Sequence, residues 1–165
     1  MNIKIVGLLW LIENIDHVKR MQYNVISIRD YISSPEYDII DNAGLENLLA
    51  IRFDDDIPTI AGKYQGPIEQ DIEQIIEWSK KKMQENNNDF IVQCTAGVSR
   101  SSSVAILVNY LQNPENPLDV INPLLHSPNE HVLELGDKYF NDKIKEKTQE
   151  LLKKHDEEFK KRFEE

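Results

Sequence analysis

Cys94, the only cysteine in the chain, closes the hydrophobic run FIVQC, and Arg100 follows it after the short stretch TAGVS. Ser101, Ser102 and Ser103 then lead into a second apolar run, VAILVNYL. If the backbone turns sharply after Cys94 and enters a helix near Arg100, the amides of Thr95, Ala96, Gly97, Val98, Ser99 and Arg100 converge. Such a nest, backed by a helix N-terminus, binds a tetrahedral anion. Gly97 supplies backbone freedom for the turn, and Arg100 can grip two anion oxygens with its planar fork. The same positive field favours a thiolate, which makes Cys94 a nucleophile near neutral pH. The chemistry common to these parts is in-line attack of sulfur on a bound phosphate. The competing view of a lone cysteine is a small buried hydrophobe. A bare C-x5-R carries little weight against it. The preceding strand, the Ala-Gly pair, the serines around Arg100 and the apolar helix add the specificity.

Other elements must hold that loop. IKIVGLL reads as a buried first strand, and ENIDHVKRMQY as a short helix starting near Asn14 or Asp16. NVISIRD alternates and reads as a second strand, SSPEYDIIDNAG reads as loop, and NLLAIRF is a third strand running into Asp54, Asp55 and Asp56. IPTIAGKYQGP is a long irregular loop. After Pro67 the period changes: Ile68, Ile72, Ile75, Ile76 and Met83 share one helical face, with the proline at the helix start. DFIVQC is a short apolar strand, SSSVAILVNYL a buried helix, and PLDVINPLL a further short helix. A long charged helix is expected from about Glu130 to the end, with Ile144, Leu151, Leu152, Phe159 and Phe163 as its packing stripe. It is expected to fold back on the sheet, leaving a monomer. The alternation of strands and helices predicts an α/β fold: a central, mostly parallel sheet with helices on both sides. Sites in such sheets form at the carboxyl ends of strands, where Cys94 lies.

Length and composition bound the function. The 165 residues fit one domain, with 141–165 as its charged C-terminal helix. The net charge is −10, yet residues 141–165 hold eight basic and eight acidic side chains, so the excess lies in 1–140. A body that acidic repels nucleic acid and anionic membranes. One cysteine allows no intrachain disulfide and no C-x-x-C zinc spacing, and it fits a reducing, cytoplasmic setting. The N-terminal MNIKIVGLLWLIEN has too short an apolar core and no cleavage-like site, so a strand running into a helix is preferred over a signal peptide.

The stretch VQCTAGVSRS resembles the signature loop of the cysteine-dependent protein tyrosine phosphatases. It is closest to the dual-specificity-like branch, whose loop commonly reads H-C-x-A-G-x-S-R-S. The resemblance spans about residues 45 to 140. AIRFDDDI, the Gly/Pro loop and IEQDIEQIIEWSK are similar to the general-acid loop and the helix after it, and LLHSPNEHVLELGDKYF to a segment of small bacterial members. The resemblance implies that Cys94 forms a phosphocysteine, while Arg100 and the loop amides of residues 95–100 hold the equatorial oxygens. An upstream aspartate protonates the leaving oxygen and then activates water. The same resemblance implies that Ser101 assists sulfur as leaving group. No metal or other cofactor is required. Asp54, Asp55 and Asp56 all fit the acid's place. Framing on the strand end favours Asp55, framing on the Asp-Ile pair selects Asp56, and Asp54 comes last. Acidic triplets are otherwise solvated loop ends or stray cation sites. One departure stands out: Gln93 occupies the place of the family's histidine. It carries no charge, so a weaker thiolate and slower turnover than the family norm are expected.

Neutral residues inside the loop, with the acidic body, argue against polyanionic lipids and RNA 5′ ends and for a phosphorylated protein side chain, phosphotyrosine first. Whether phosphoserine and phosphothreonine also react depends on pocket depth. A pseudophosphatase that binds phosphopeptides without turnover is the first rival. A rhodanese-like sulfurtransferase typically has a loop one residue shorter. An arsenate-reductase-like enzyme would have its loop near the N-terminus and further cysteines. His126 is read as a helix-end residue, and His17, His131 and His155 share no metal spacing. Trp10 and Trp78 are read as core or half-buried residues.

Overall fold

The computed structural model describes residues 2–32, 34–55, 65–85 and 87–163. Burial orders the strands. β2 (Asn24–Arg29) is buried at every position, and β4 (Asp89–Cys94) at all but its first. Both must therefore lie inside the sheet. β1 (Asn2–Gly7) and β3 (Leu48–Arg52) keep exposed positions and form its edges. The order is β1-β4-β2-β3 with every pairing parallel.

Helices cover both faces. On one side α1 (Leu8–Glu13), α2 (Ile15–Arg20) and α3 (Glu36–Asn42) enclose Leu11, Val18, Tyr37 and Ile40 against Val25 and Ile91. On the other, α4 (Glu69–Gln84), α5 (Arg100–Tyr110) and α6 (Glu130–Phe140) pack Ile72, Ile76, Ile106 and Val132 on Ile26, Ile28 and Val92. α5 is buried from Arg100 to Val108, as its nearly unbroken apolar sequence requires. α7 (Ile144–Phe163) is the long C-terminal helix.

Several boundaries differ from expectation. The first strand stops at Gly7, and Leu8 and Leu9 begin a helix, because the Leu8 amide turns to the Thr95 carbonyl at 3.1 Å. The expected loop around residues 33–44 contains α3, which Tyr37 and Ile40 anchor by burial. Pro67 precedes the cap of α4. There Asp71 accepts from the Ile68 amide at 2.9 Å and Ile68 itself stays exposed. The helix expected in PLDVINPLL is a single 3-10 turn, Pro117–Val120. Most of the irregular loop after Asp55 lies outside the described residues. The helix expected from Glu130 onward breaks in two, because Asn141 takes a left-handed conformation, φ 53°, and ends α6. α7 then packs against α6, with Ile144 buried and Lys145 paired to Glu134 and Glu130, instead of lying directly on the sheet.

The break between α6 and α7 carries a pH-dependent contribution. Asp142 accepts from the Lys143 amide at 2.7 Å, from Lys147 and from the Tyr110 hydroxyl at 2.8 Å. These donors hold its carboxyl down at about 2, from an ordinary 3.8. The folded value is the depressed one. Its contribution is therefore present above 3.8 and is lost as pH falls through about 2. Asp142→Asn should lower stability by about 1 kcal/mol at neutral pH, with the deficit shrinking in melts taken toward pH 2. A deficit independent of pH would refute this account.

Candidate active site

The loop after β4 is shaped by where its carbonyls go. Thr95 O accepts from Leu8 N at 3.1 Å, and Val98 O from Ser127 N at 3.2 Å and the Ser102 hydroxyl at 2.6 Å. Ser99 O accepts from Ser103 N, from the Ser102 and Ser103 hydroxyls, and from Asn129 N at 3.5 Å. With these carbonyls committed outward, the amides turn inward. Among the described residues, those of Ala96, Val98, Ser99 and Arg100 donate to no protein acceptor, and the Gly97 amide donates to Cys94 Sγ at 3.3 Å. Gly97 has φ +75° and sits against β1, where a Cβ would meet Gly7 N at 2.5 Å. The turn needs glycine for both reasons.

Cys94 is buried at the foot of this loop, its Sγ 3.1 Å from Ser101 Oγ. Ser101 is on the first turn of α5, so the helix N-terminus faces the sulfur. Arg100 is also buried. Its Nη1 donates to Phe53 O at 2.9 Å and its Nη2 to Thr95 Oγ1 at 3.3 Å. Cys94, Thr95, Ala96, Gly97, Val98, Ser99, Arg100 and Ser101 thus form one concave loop at the carboxyl edge of the sheet.

Asp54 and Asp55 separate. Asp54 is buried, and its two oxygens accept from the Tyr31 and Gln65 amides, both at 3.1 Å. Its carboxylate ties Gln65 to Tyr31. Asp55 is exposed at the rim, where Oδ1 accepts from Ser99 Oγ and from Asn129 Nδ2, each at 2.8 Å. Asp56 lies outside the described residues. Asn129 was not identified from sequence. Its Oδ1 caps α6 through the Val132 amide at 2.9 Å, and its Nδ2 also reaches Asp55 O at 3.0 Å. The Ser-Pro-Asn-Glu start of α6 is a cap signal, so its first role was readable and its second was not.

Gln93 points to the opposite face of β4 from Cys94. Its Oε1 accepts from Ser27 Oγ at 2.7 Å, and Ser27 accepts in turn from Arg29 Nε at 3.3 Å. Arg29 is buried and paired through two hydrogen bonds with Asp41 on α3, whose carboxyl it holds below the usual range. His126 accepts from the Asn122 amide at 2.9 Å, and burial pushes its imidazole below the ordinary value. His131 packs its ring nitrogen 3.1 Å from Pro67 O. Trp78 is half-buried edge-on to Phe90, and Trp10 lies half-buried beneath Lys4.

No protein-family model and no curated protein sequence matches the chain. Solved structures do. The Cydia pomonella PTP-2 phosphatase superposes with a TM-score of 0.59 at 20% identity, covering 82% of this chain and 83% of that one. The chain has the protein tyrosine phosphatase fold. Two further structures with this fold align comparably. PTPMT1 in complex with PI(5)P has a TM-score of 0.56 at 15% identity, over 89% of this chain and 94% of that one. The human tyrosine phosphatase-like serine/threonine/tyrosine-interacting protein has 0.54 at 16%, over 78% and 83%. The phosphatase fold agrees with the expected α/β architecture of a parallel sheet covered on both faces. Among the described residues no helix is long and apolar enough to cross a membrane.

Proposed function

We propose that the protein hydrolyses phosphate monoesters on protein side chains, phosphotyrosine first, through a phosphocysteine intermediate. The observation that carries this reading is the cradle itself: Cys94 Sγ at its foot, inward amides around it, and Arg100 beside it. Sulfur attacks phosphorus as the ester oxygen leaves, and the amides with Arg100 take the charge on the equatorial oxygens. Asp55 is the acid at the rim, held toward the loop by Ser99 and Asn129. It protonates the departing oxygen and then takes a proton from the water that cleaves the thiophosphate. Ser101, 3.1 Å from the sulfur, donates to it as it leaves. The neutral loop interior and acidic body disfavour polyanionic substrates.

The test is p-nitrophenyl phosphate hydrolysis from about pH 5 to 8, with and without vanadate, alongside a phosphotyrosyl peptide. Vanadate-sensitive turnover is expected. Asp55→Asn should lower kcat on the peptide about 100-fold, and less on p-nitrophenyl phosphate, whose leaving group needs little protonation. An equal effect on both, or none, moves the acid elsewhere, with Asp56 next. Phosphopeptide binding without turnover would favour the pseudophosphatase reading, which uncharged Gln93 supports, and would make Gln93→His the next variant.

A further inference from the structure

Asp30 follows the last residue of β2 and lies outside the C-x5-R loop, yet its carboxylate spans two residues of that loop. Oδ1 is 2.6 Å from Arg100 Nη1, and Oδ2 accepts from the Thr95 hydroxyl at 2.7 Å. Nη1 also donates to Phe53 O, so that side of the guanidinium is held by the Asp30 ion pair and a backbone carbonyl. Nη2 gives one proton to Thr95 Oγ1. Two donors remain on the opposite side. One is the second Nη2 proton, and the other is Nε, which is buried and has no partner among the described residues. Nε–H and Nη2–H form one straight edge of the planar guanidinium, the edge that grips two oxygens of a single phosphate. A buried, unpaired N–H is costly unless a ligand completes it.

We infer that Asp30 is a positioning residue for phosphoryl transfer: it holds the Nη1 side of Arg100 so that the Nε–Nη2 edge faces the bound phosphate. The inference rests on the phosphatase reading above. A carboxylate beside the arginine can instead act as a plug that competes with phosphate. The geometry favours positioning, because Asp30 engages the nitrogen farthest from the free edge and simultaneously fixes Thr95, which orients Nη2. Donors preset in this way act most strongly on the transition state, where the equatorial oxygens must be met without rearrangement. The loss on removing Asp30 should therefore fall on kcat more than on KM.

The experiment compares wild type, Asp30→Ala, Asp30→Asn and Asp30→Glu on p-nitrophenyl phosphate, with vanadate inhibition and thermal midpoints measured for each. Asp30→Ala is expected to lower kcat about 30-fold with KM changed less than about 3-fold, and to weaken vanadate about 10-fold. Asp30→Glu should recover part of kcat. Asp30→Asn should fall between alanine and wild type, since it keeps an acceptor and loses the charge. Unchanged or faster turnover with tighter vanadate in Asp30→Ala would identify a plug and overturn the inference. So would an equal loss in all three variants that tracks their thermal midpoints. Wild type active and vanadate-sensitive in those cases leaves the phosphatase reading standing. A wild type with neither turnover nor vanadate inhibition overturns both.

Discussion

Cys94→Ser should reduce kcat/KM for p-nitrophenyl phosphate by at least about 10⁴-fold while leaving phosphopeptide binding intact. Sulfur sits where the attacking atom must be, at the foot of the cradle beside Ser101 Oγ and Gly97 N. A serine hydroxyl in the same place remains protonated near neutral pH and is a far weaker nucleophile. Nothing else in the loop changes: the inward amides and the Arg100 fork remain to hold the phosphate. Kinetics with wild type and variant, paired with fluorescence anisotropy of a labelled phosphotyrosyl peptide, separate the two effects. Appreciable turnover by Cys94→Ser would remove the covalent mechanism. Loss of binding together with turnover would mean that the thiol shapes the loop and does not only react in it.

Gly97→Ala should be nearly as damaging, for a different reason. A Cβ at residue 97 would lie 2.6 Å from Val6 C and 2.9 Å from Val6 O, besides its clash with Gly7 N. All of these are backbone atoms of β1, and β1 is registered on β4 with Gly7 opposite Cys94. No side chain can swing aside to relieve the contact. The left-handed backbone at Gly97 adds its own strain. We expect a stability loss of about 3 kcal/mol and a fall in kcat/KM of about 10³-fold, because the loop and β1 must part. Urea unfolding and steady-state kinetics measure both. Near-wild-type values for both quantities would show that the loop is less tightly bound to β1 than these distances require.

What was legible in the sequence was contiguous. Cys94, Arg100 and the residues between them lie on one stretch of chain, so the spacing together with the flanking strand and helix outlines the cradle. The sheet was legible too, since β2 and β4 are short apolar runs and parallel strands must be joined by helices. α3 was not, because Ser-Ser-Pro at one end and Asn-Ala-Gly at the other are loop chemistry, and only Tyr37 and Ile40 mark a buried face. The split between α6 and α7 was hidden by a charge pattern that continues across it, with Asn141 as its sole signal. Asp30 was out of reach for another reason. It meets Thr95 across 65 residues of sequence, through the parallel register of β2 on β4. Where Asp54 and Asp55 point is likewise decided by tertiary contacts: the Tyr31 and Gln65 amides claim Asp54, while Ser99 and Asn129 claim Asp55.

The hydrogen bonds between Asp54 and Gln65 reach beyond the site. Asp54 N donates to Gln65 O at 2.8 Å, and Gln65 N returns a bond to the Asp54 carboxylate. The two ends of the intervening segment are thereby fastened to each other and, through Tyr31, to the end of β2. Closing a loop at its base confines the entropy cost of changing its length to a slowly growing term. Asp54 and Gln65 form, in that sense, a clasp: the end of β3 and the stretch leading into α4 keep their spacing whatever joins them.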